Sequence, residues 1–347
     1  MKFKSAFVAF ILILSVYSCK TGQEEKESGV QYYRHIQFSE TPYDQLKGVY
    51  PLTDKQAAEI NHYRFTYNED GSLAEVSYKR GDEVLGYSSM GAATVKVEYS
   101  PGKEVYSYFD KDGNQQKNRG AWLAVYELDE NGNRAGLHYE DLEGNKMANW
   151  NDIAYYVWKV TPDDMIQEKR YTMDGEETVL NQFCPFYELR FSYDDNGYAV
   201  RMANYMDDTL YDCTVENCGD VGVSYFLFEN DDNGALTKFS VHNSVGQLSN
   251  LYWGWAKFEN KLDENGYVLE RVSYDQDDEL LSGKSTAINV QVYDAHGAVI
   301  ERKFLDDHRN LLENNNGAAI IKYTYDQKGH PVDTTYFNAA EEEITAG

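Results

Sequence analysis

From residue 64 to residue 344 the chain alternates apolar and polar positions in short runs, each stopped by a turn. In one such run Ala319, Ile321, Tyr323 and Tyr325 fall on one side, and Ile320, Lys322, Thr324 and Asp326 on the other. A period of two among β-branched and aromatic residues predicts a half-buried strand. Asp326-Gln327-Lys328-Gly329 then reverses the chain, glycine supplying the positive φ that a tight hairpin needs. Val332 to Phe337 is expected to return as the second strand.

The same pattern recurs along the chain. First-turn positions fall at Gly71, Gly102, Gly132, Asp164, Gly197, Gly234, Gly266, Gly297 and Gly329, with successive differences of 31, 30, 32, 33, 37, 32, 31 and 32. A second polar turn follows in each unit, as at Asp110-Lys111-Asp112-Gly113-Asn114, and then a short linker such as Asn118-Arg119-Gly120-Ala121. Each of the nine units therefore predicts two long strands and a third short one. A hairpin alone is marginal in water, but neighbours bury each other's faces. A propeller blade needs four strands and usually about 40 residues, so the period fits it poorly. The expected fold is all-β: an elongated array of stacked antiparallel β-hairpins, as a solenoid or a long twisted sheet.

Residues 30–63 precede the array. Val30 to Phe38 predicts a strand, and Thr53-Asp54-Lys55-Gln56 has the spacing of a capping box ahead of one short helix. This segment is expected to be an N-terminal cap that covers the first edge of the repeat domain at 64–347.

Residues 1–18 carry Lys2 and Lys4, an apolar run from Ala6 to Leu14, and small residues before Cys19. That order describes a secretory signal whose apolar run is too short to span a bilayer. Cys19 after Ser18 resembles the lipobox of bacterial lipoproteins. The resemblance implies acylation of the Cys19 thiol and an outer-membrane, surface-exposed protein held to the membrane through a lipid anchor. Residues 19–29 are polar and read as a flexible tether; within them Gln23-Glu24-Glu25 resembles the acidic export signal of Bacteroidetes surface lipoproteins.

Tyr193-Asp194-Asp195-Asn196-Gly197, Tyr293-Asp294-Ala295-His296-Gly297 and Tyr325-Asp326-Gln327-Lys328-Gly329 resemble the YD repeats of Rhs-type proteins. Those families build β shells from such hairpins, sometimes around a toxin cargo. The units here are longer and the array is expected to be too short to enclose a protein. The resemblance thus implies a β-repeat surface protein and not a toxin. MORN-like hairpin repeats are a second likeness.

Charge narrows the partners. The chain has 32 Lys and Arg against 58 Asp and Glu, a net charge of −26, which argues against nucleic acid as a partner. Much of the acid sits in the turns, where Asp and Asn belong for conformational reasons. The seven histidines show no ligand spacing, so neither metal nor cofactor is expected. Asp110 to Asn114 has the alternating oxygens of a calcium loop without its downstream glutamate, and a plain turn is the stronger reading. Neither a GxSxG elbow nor a glycine-rich phosphate loop occurs.

Two features remain as site candidates. Cys213 and Cys218 could close a disulfide loop within the longest spacing, while pairing of either with Cys184 stays open. Tyr252, Trp253 and Trp255, with Trp122, Trp150 and Trp158 elsewhere, are aromatics able to stack on a sugar or anchor a protein partner. Core packing between units is the competing reading for them. The function expected is therefore a non-enzymatic, lipid-anchored surface repeat protein that binds a glycan or a protein. The alternatives are a polysaccharide-directed enzyme with its site on an irregular unit, and a structural spacer.

Overall fold

The computed structural model describes residues 29–86, 88–181, 184–213, 223–251, 253–283 and 285–345. Their strands join into one antiparallel sheet of 26 strands, so the all-β hairpin array is the observed architecture. The ribbon opens with β1 (Gly29–Ile36), β2 (Gly48–Leu52), the one-turn helix α1 (Asp54–Ala57), β3 (Asn61–Tyr67) and β4 (Leu73–Arg80). Strand β1 lies between β2 and β3, with Tyr32 opposite both Leu52 and Arg64. Thr53 and Gln56 form the capping box at the start of α1. Beyond β4 each hairpin pairs with the next in a recurring register, as in Glu75↔Lys96 and Glu301↔Lys322.

The turns explain the acidity. Asp194 Oδ1 accepts the amides of Asn196 at 3.0 Å and Tyr198 at 2.8 Å. Asp231, Asp263, Asp294 and Asp326 accept amides two and four residues on in the same way. Second turns repeat the device at Asp110, Asp141, Asp275 and Asp306. A carboxylate that accepts amide hydrogens is favoured in its charged form. The Asn114 and Asn145 side chains and amides accordingly hold Asp110 and Asp141 below the usual carboxylate range, and the His330 amide does so for Asp326. The fourth turn residue is left-handed, which suits glycine. Asp164, at φ 61°, fills that place in the fourth unit.

Apolar residues of one sheet face form the core, with Phe65, Val76, Leu137, Leu189, Phe191 and Phe226 at or near complete burial. Among the described residues three ion pairs are buried, Glu188 with Arg190 at 2.7 Å and the two that follow. Arg170 Nη1 donates to Glu168 Oε1 at 2.9 Å, and its Nη2 donates to the carbonyls of Phe186 and Tyr187 at 2.8 Å each. Trp158 Nε1 donates to the other oxygen of Glu168 at 2.9 Å. Arg134 pairs with Glu104 through Nε at 3.1 Å and Nη2 at 2.8 Å.

Local pattern does not foretell the next feature: the ribbon coils until its late units meet its first. The Asn61 amide donates to the His296 carbonyl at 2.8 Å, and His296 Nδ1 donates to Glu59 O at 2.6 Å. At the second turn of the first unit, Glu83 meets Lys328 at 3.2 Å and His330 at 3.0 Å from the ninth. The segment between β1 and β2 is held by the wall of this coil. Arg134 Nη1 donates to the carbonyls of Pro42, Tyr43 and Asp44 at 3.0, 3.1 and 2.8 Å. Thr41 donates to Glu168, and Tyr193 donates to Asp44 at 2.7 Å. Phe38 packs on Phe228 at 5.1 Å between ring centroids. Residues 30–63 therefore do more than pair along the first edge, because the third to sixth units close around them.

Candidate functional site

Residues 1–28, with Cys19, lie outside the described residues, as do Tyr252 and Cys218. Cys213 is fully buried and disulfide-bonded, while Cys184 is half-buried. Trp253 and Trp255 stack on one another at 4.8 Å, and Trp253 Nε1 donates to the Trp255 carbonyl at 2.7 Å. Trp255 also meets Phe239 and Phe258 edge-on at 5.6 and 5.4 Å, so this pair is half-buried against the main core. Trp158 is buried, and Trp122 lies under Lys117 at 5.6 Å. The calcium-like loop spends its oxygens on itself: Asp110 Oδ1 accepts two amides and Oδ2 accepts the Asn114 side chain. Asp306, Asp307 and His308 bring ligand atoms within 4.8 Å of one another, yet Asp306 is likewise the cap of its own turn.

Concavity is found elsewhere, at the seam where the coil closes. A cleft of about 470 Å³ is lined by Arg34 from β1 and by Asp263, Asn265, Tyr267, Gln291, Tyr293 and Asp294 from the seventh and eighth units. It adjoins a second hollow of about 220 Å³ that adds His35, Asn61, Tyr63 and Tyr78. The Tyr267 and Tyr293 rings lie 4.6 Å apart, and Tyr63 and Tyr78 lie 4.8 Å apart. Arg34 Nη1 donates to the Tyr267 hydroxyl at 3.2 Å while the guanidinium sits 5.3 Å from that ring's centroid. His35 Nε2 donates to the Asn265 carbonyl at 3.0 Å and meets Tyr267 edge-on at 4.8 Å. Gly297 makes the approach feasible: its φ is 82°, and a Cβ there would fall 2.7 Å from Tyr267 Cζ.

Burial sets the protonation states. It lowers His35 to about 4, so the imidazole is neutral at pH 7. It raises Tyr267 and Tyr78 and pushes Tyr293 up to about 12, so the phenols keep their protons. Arg34 is then the cation of the main cleft, with Asp263 and Asp294 as its anions. Ring faces, hydroxyls, amides and carboxylates converging on one hollow can hold a flat, hydroxyl-rich molecule by stacking and hydrogen bonding. Tyr293 stands four before its turn glycine, an ordinary repeat position, and only coiling beside Arg34, 233 residues upstream of Tyr267, makes the two rings a site. Strand periodicity carries no signal for that.

No family model matches the chain, and no curated protein matches it. Among solved structures it is similar to the TcdB2-TccC3-Cdc42 crystal structure, with 10% identity and a TM-score of 0.31. That match covers 80% of this chain, which spans 14% of the other. The Photorhabdus luminescens Tc holotoxin pore gives the same identity and TM-score, over 83% of this chain and 14% of that one. A porin-like protein from Bacteroides uniformis gives 12% identity and a TM-score of 0.28, covering 80% of this chain and 95% of its own.

Proposed function

We propose that this is a non-enzymatic, lipid-anchored surface protein that binds a glycan in the seam cleft. The carrying observation is the convergence of Tyr267, Tyr293 and Arg34 with Asp263, Asn265 and Gln291 around one hollow. Paired phenol faces suit the C–H face of a pyranose, and the polar groups suit its hydroxyls. The titratable groups are already engaged. His35 is neutral and bonded to Asn265 O, and each aspartate accepts two turn amides. Such a lining supplies hydrogen bonds rather than a poised acid–base pair.

Soluble residues 20–347 should bind selectively on a glycan array. Tyr267→Ala and Arg34→Ala should each weaken that binding by about tenfold or more, the loss of one stacking or charged contact. Trp253→Ala and Trp255→Ala serve as the contrast. Binding lost in these two but kept in Tyr267→Ala would move the site to the tryptophan corner, and silence on every glycan would sink the reading. For the anchor, Cys19→Ala should shift the protein from the membrane to the soluble fraction, because several acyl chains at roughly 0.8 kcal/mol per buried methylene hold it there. Unchanged fractionation would refute the anchor.

A further inference from the structure

The second turns lie at one edge of the ribbon, and those of the third to sixth units form an unbroken run with one feature in common. Each exposes an apolar side chain at or beside its tip: Leu142 at 50% exposure, Met173 at 53%, Met206 at 44% and Val245 at 76%. Trp150, 78% exposed, stands on the third turn of the third unit at the same edge. Its amide donates to the Arg119 carbonyl at 3.0 Å, and its indole lies over Gly120, where a Cβ would fall 2.4 Å from the ring. The second, seventh and eighth tips are polar, with Lys111-Asp112, Gln276-Asp277 and Asp307-His308, while the ninth carries only Ala339-Ala340 and Leu280, 37% exposed, follows the seventh. Two strands per unit at about 4.8 Å each place these side chains about 10 Å apart, a ridge of about 30 Å.

We propose that this ridge is a docking surface for a protein whose face has an apolar centre and a Lys/Arg rim. The chemistry of the occupant follows from what flanks the ridge. Glu143, Asp152, Asp174, Asp207 and Asp208 stand exposed along these turns against Lys146 and Arg119, so carboxylates outnumber cations beside the apolar line. An anionic bilayer and a second copy of this chain, at −26, both carry the same sign and are repelled. A basic rim is attracted, and Trp and Met side chains are suited to fill its apolar centre. Strand β1 begins at Gly29 beside Tyr67, at the first-turn edge, so the ridge is the edge remote from where a tether joins. Trp150 is already seated on Gly120 and loses little freedom on binding, which favours it as the anchor.

The test uses the full chain in the cells that make it. A photo-crosslinking residue is placed at Leu142 or Met173, and as controls at Lys111 or Asp277 on the same edge outside the ridge. The expected result is one polypeptide crosslinked from the ridge positions and not from the controls. Purified, that polypeptide should bind the wild-type chain with an affinity that falls about tenfold or more as salt rises from about 50 to about 500 mM. The Leu142→Asn, Met173→Gln, Val245→Thr triple variant, whose exposed changes leave thermal unfolding unaltered, should weaken it by a further tenfold. Tyr267→Ala should leave it unchanged, which separates this surface from the glycan cleft. Crosslinks to lipid, to a second copy or equally from the controls overturn the proposal. So do salt-insensitive binding and the absence of any crosslink.

Discussion

Arg170→Ala should lower the stability of the coil by about 3–5 kcal/mol, read from urea unfolding at pH 7 with the slope unchanged. Arg170 is the largest of the fully buried side chains and the counter-charge of a fully buried glutamate. Removing it strands Glu168, which would keep neutral donors, Trp158 Nε1 and Thr41, but no cation. It also takes the guanidinium donor from the Phe186 and Tyr187 carbonyls, of which Phe186 keeps the Leu180 amide. Unpaired buried charge is the costly outcome, whereas replacing both partners by apolar groups can be nearly neutral. The double variant Glu168→Gln, Arg170→Met should therefore recover much of the loss. A change below about 1 kcal/mol in the single variant would mean that the charge is not desolvated and that the wall is not sealed there. Against the 5–15 kcal/mol typical of whole domains, the expected loss is large.

Arg134→Ala should cost a comparable amount and show itself differently. One guanidinium ties Glu104, the Tyr106 hydroxyl and three successive carbonyls, those of Pro42, Tyr43 and Asp44. It also stacks over Tyr126 at 3.7 Å. Its loss frees the enclosed segment from the third unit while the hairpin ladder stays paired. Amide exchange in residues 37–48 should speed up by about a hundredfold or more, and amides of the eighth unit should keep their protection. Arg134→Lys should not rescue it, since a single ammonium cannot span the planar set of acceptors. Uniform loss of protection along the ribbon would contradict a local tether and make Arg134 a core residue like Arg170.

What the sequence made readable is what short-range chemistry decides. The strands follow from alternation, and the turns from an aspartate whose oxygen accepts amides two and four residues on, as at Asp194. The coil is different. Its closure rests on contacts such as Asn61 with His296 and Glu83 with His330, which have no local pattern. The buried ion pairs did leave a trace: Ile166, Glu168 and Arg170 share one parity of their strand, and all three are buried. Charged residues on an apolar parity indicate a paired interior. Trp253 and Trp255 show the converse limit, since ring chemistry does not tell which side of a sheet a turn folds towards: Trp255 lies on Phe239 and Phe258, and Trp253 stacks on Trp255. Trp150, in similar company, stayed outside because Gly120 offered its ring a seat on the surface.

The enclosed N-terminal segment also fixes an order of events in time. His35 leaves the ribosome 230 residues ahead of Asn265, the carbonyl it will donate to. At about 5–20 residues per second that interval is roughly 10–50 s. During it, hairpins can form and pair as they emerge, but β1 and β2 have no late wall to pack on. Non-local closure of this kind is slow, because the loop entropy is spent before the contacts form. Emergence of the seventh to ninth units, rather than any single hairpin, is therefore the step that lets the first-made strands settle last.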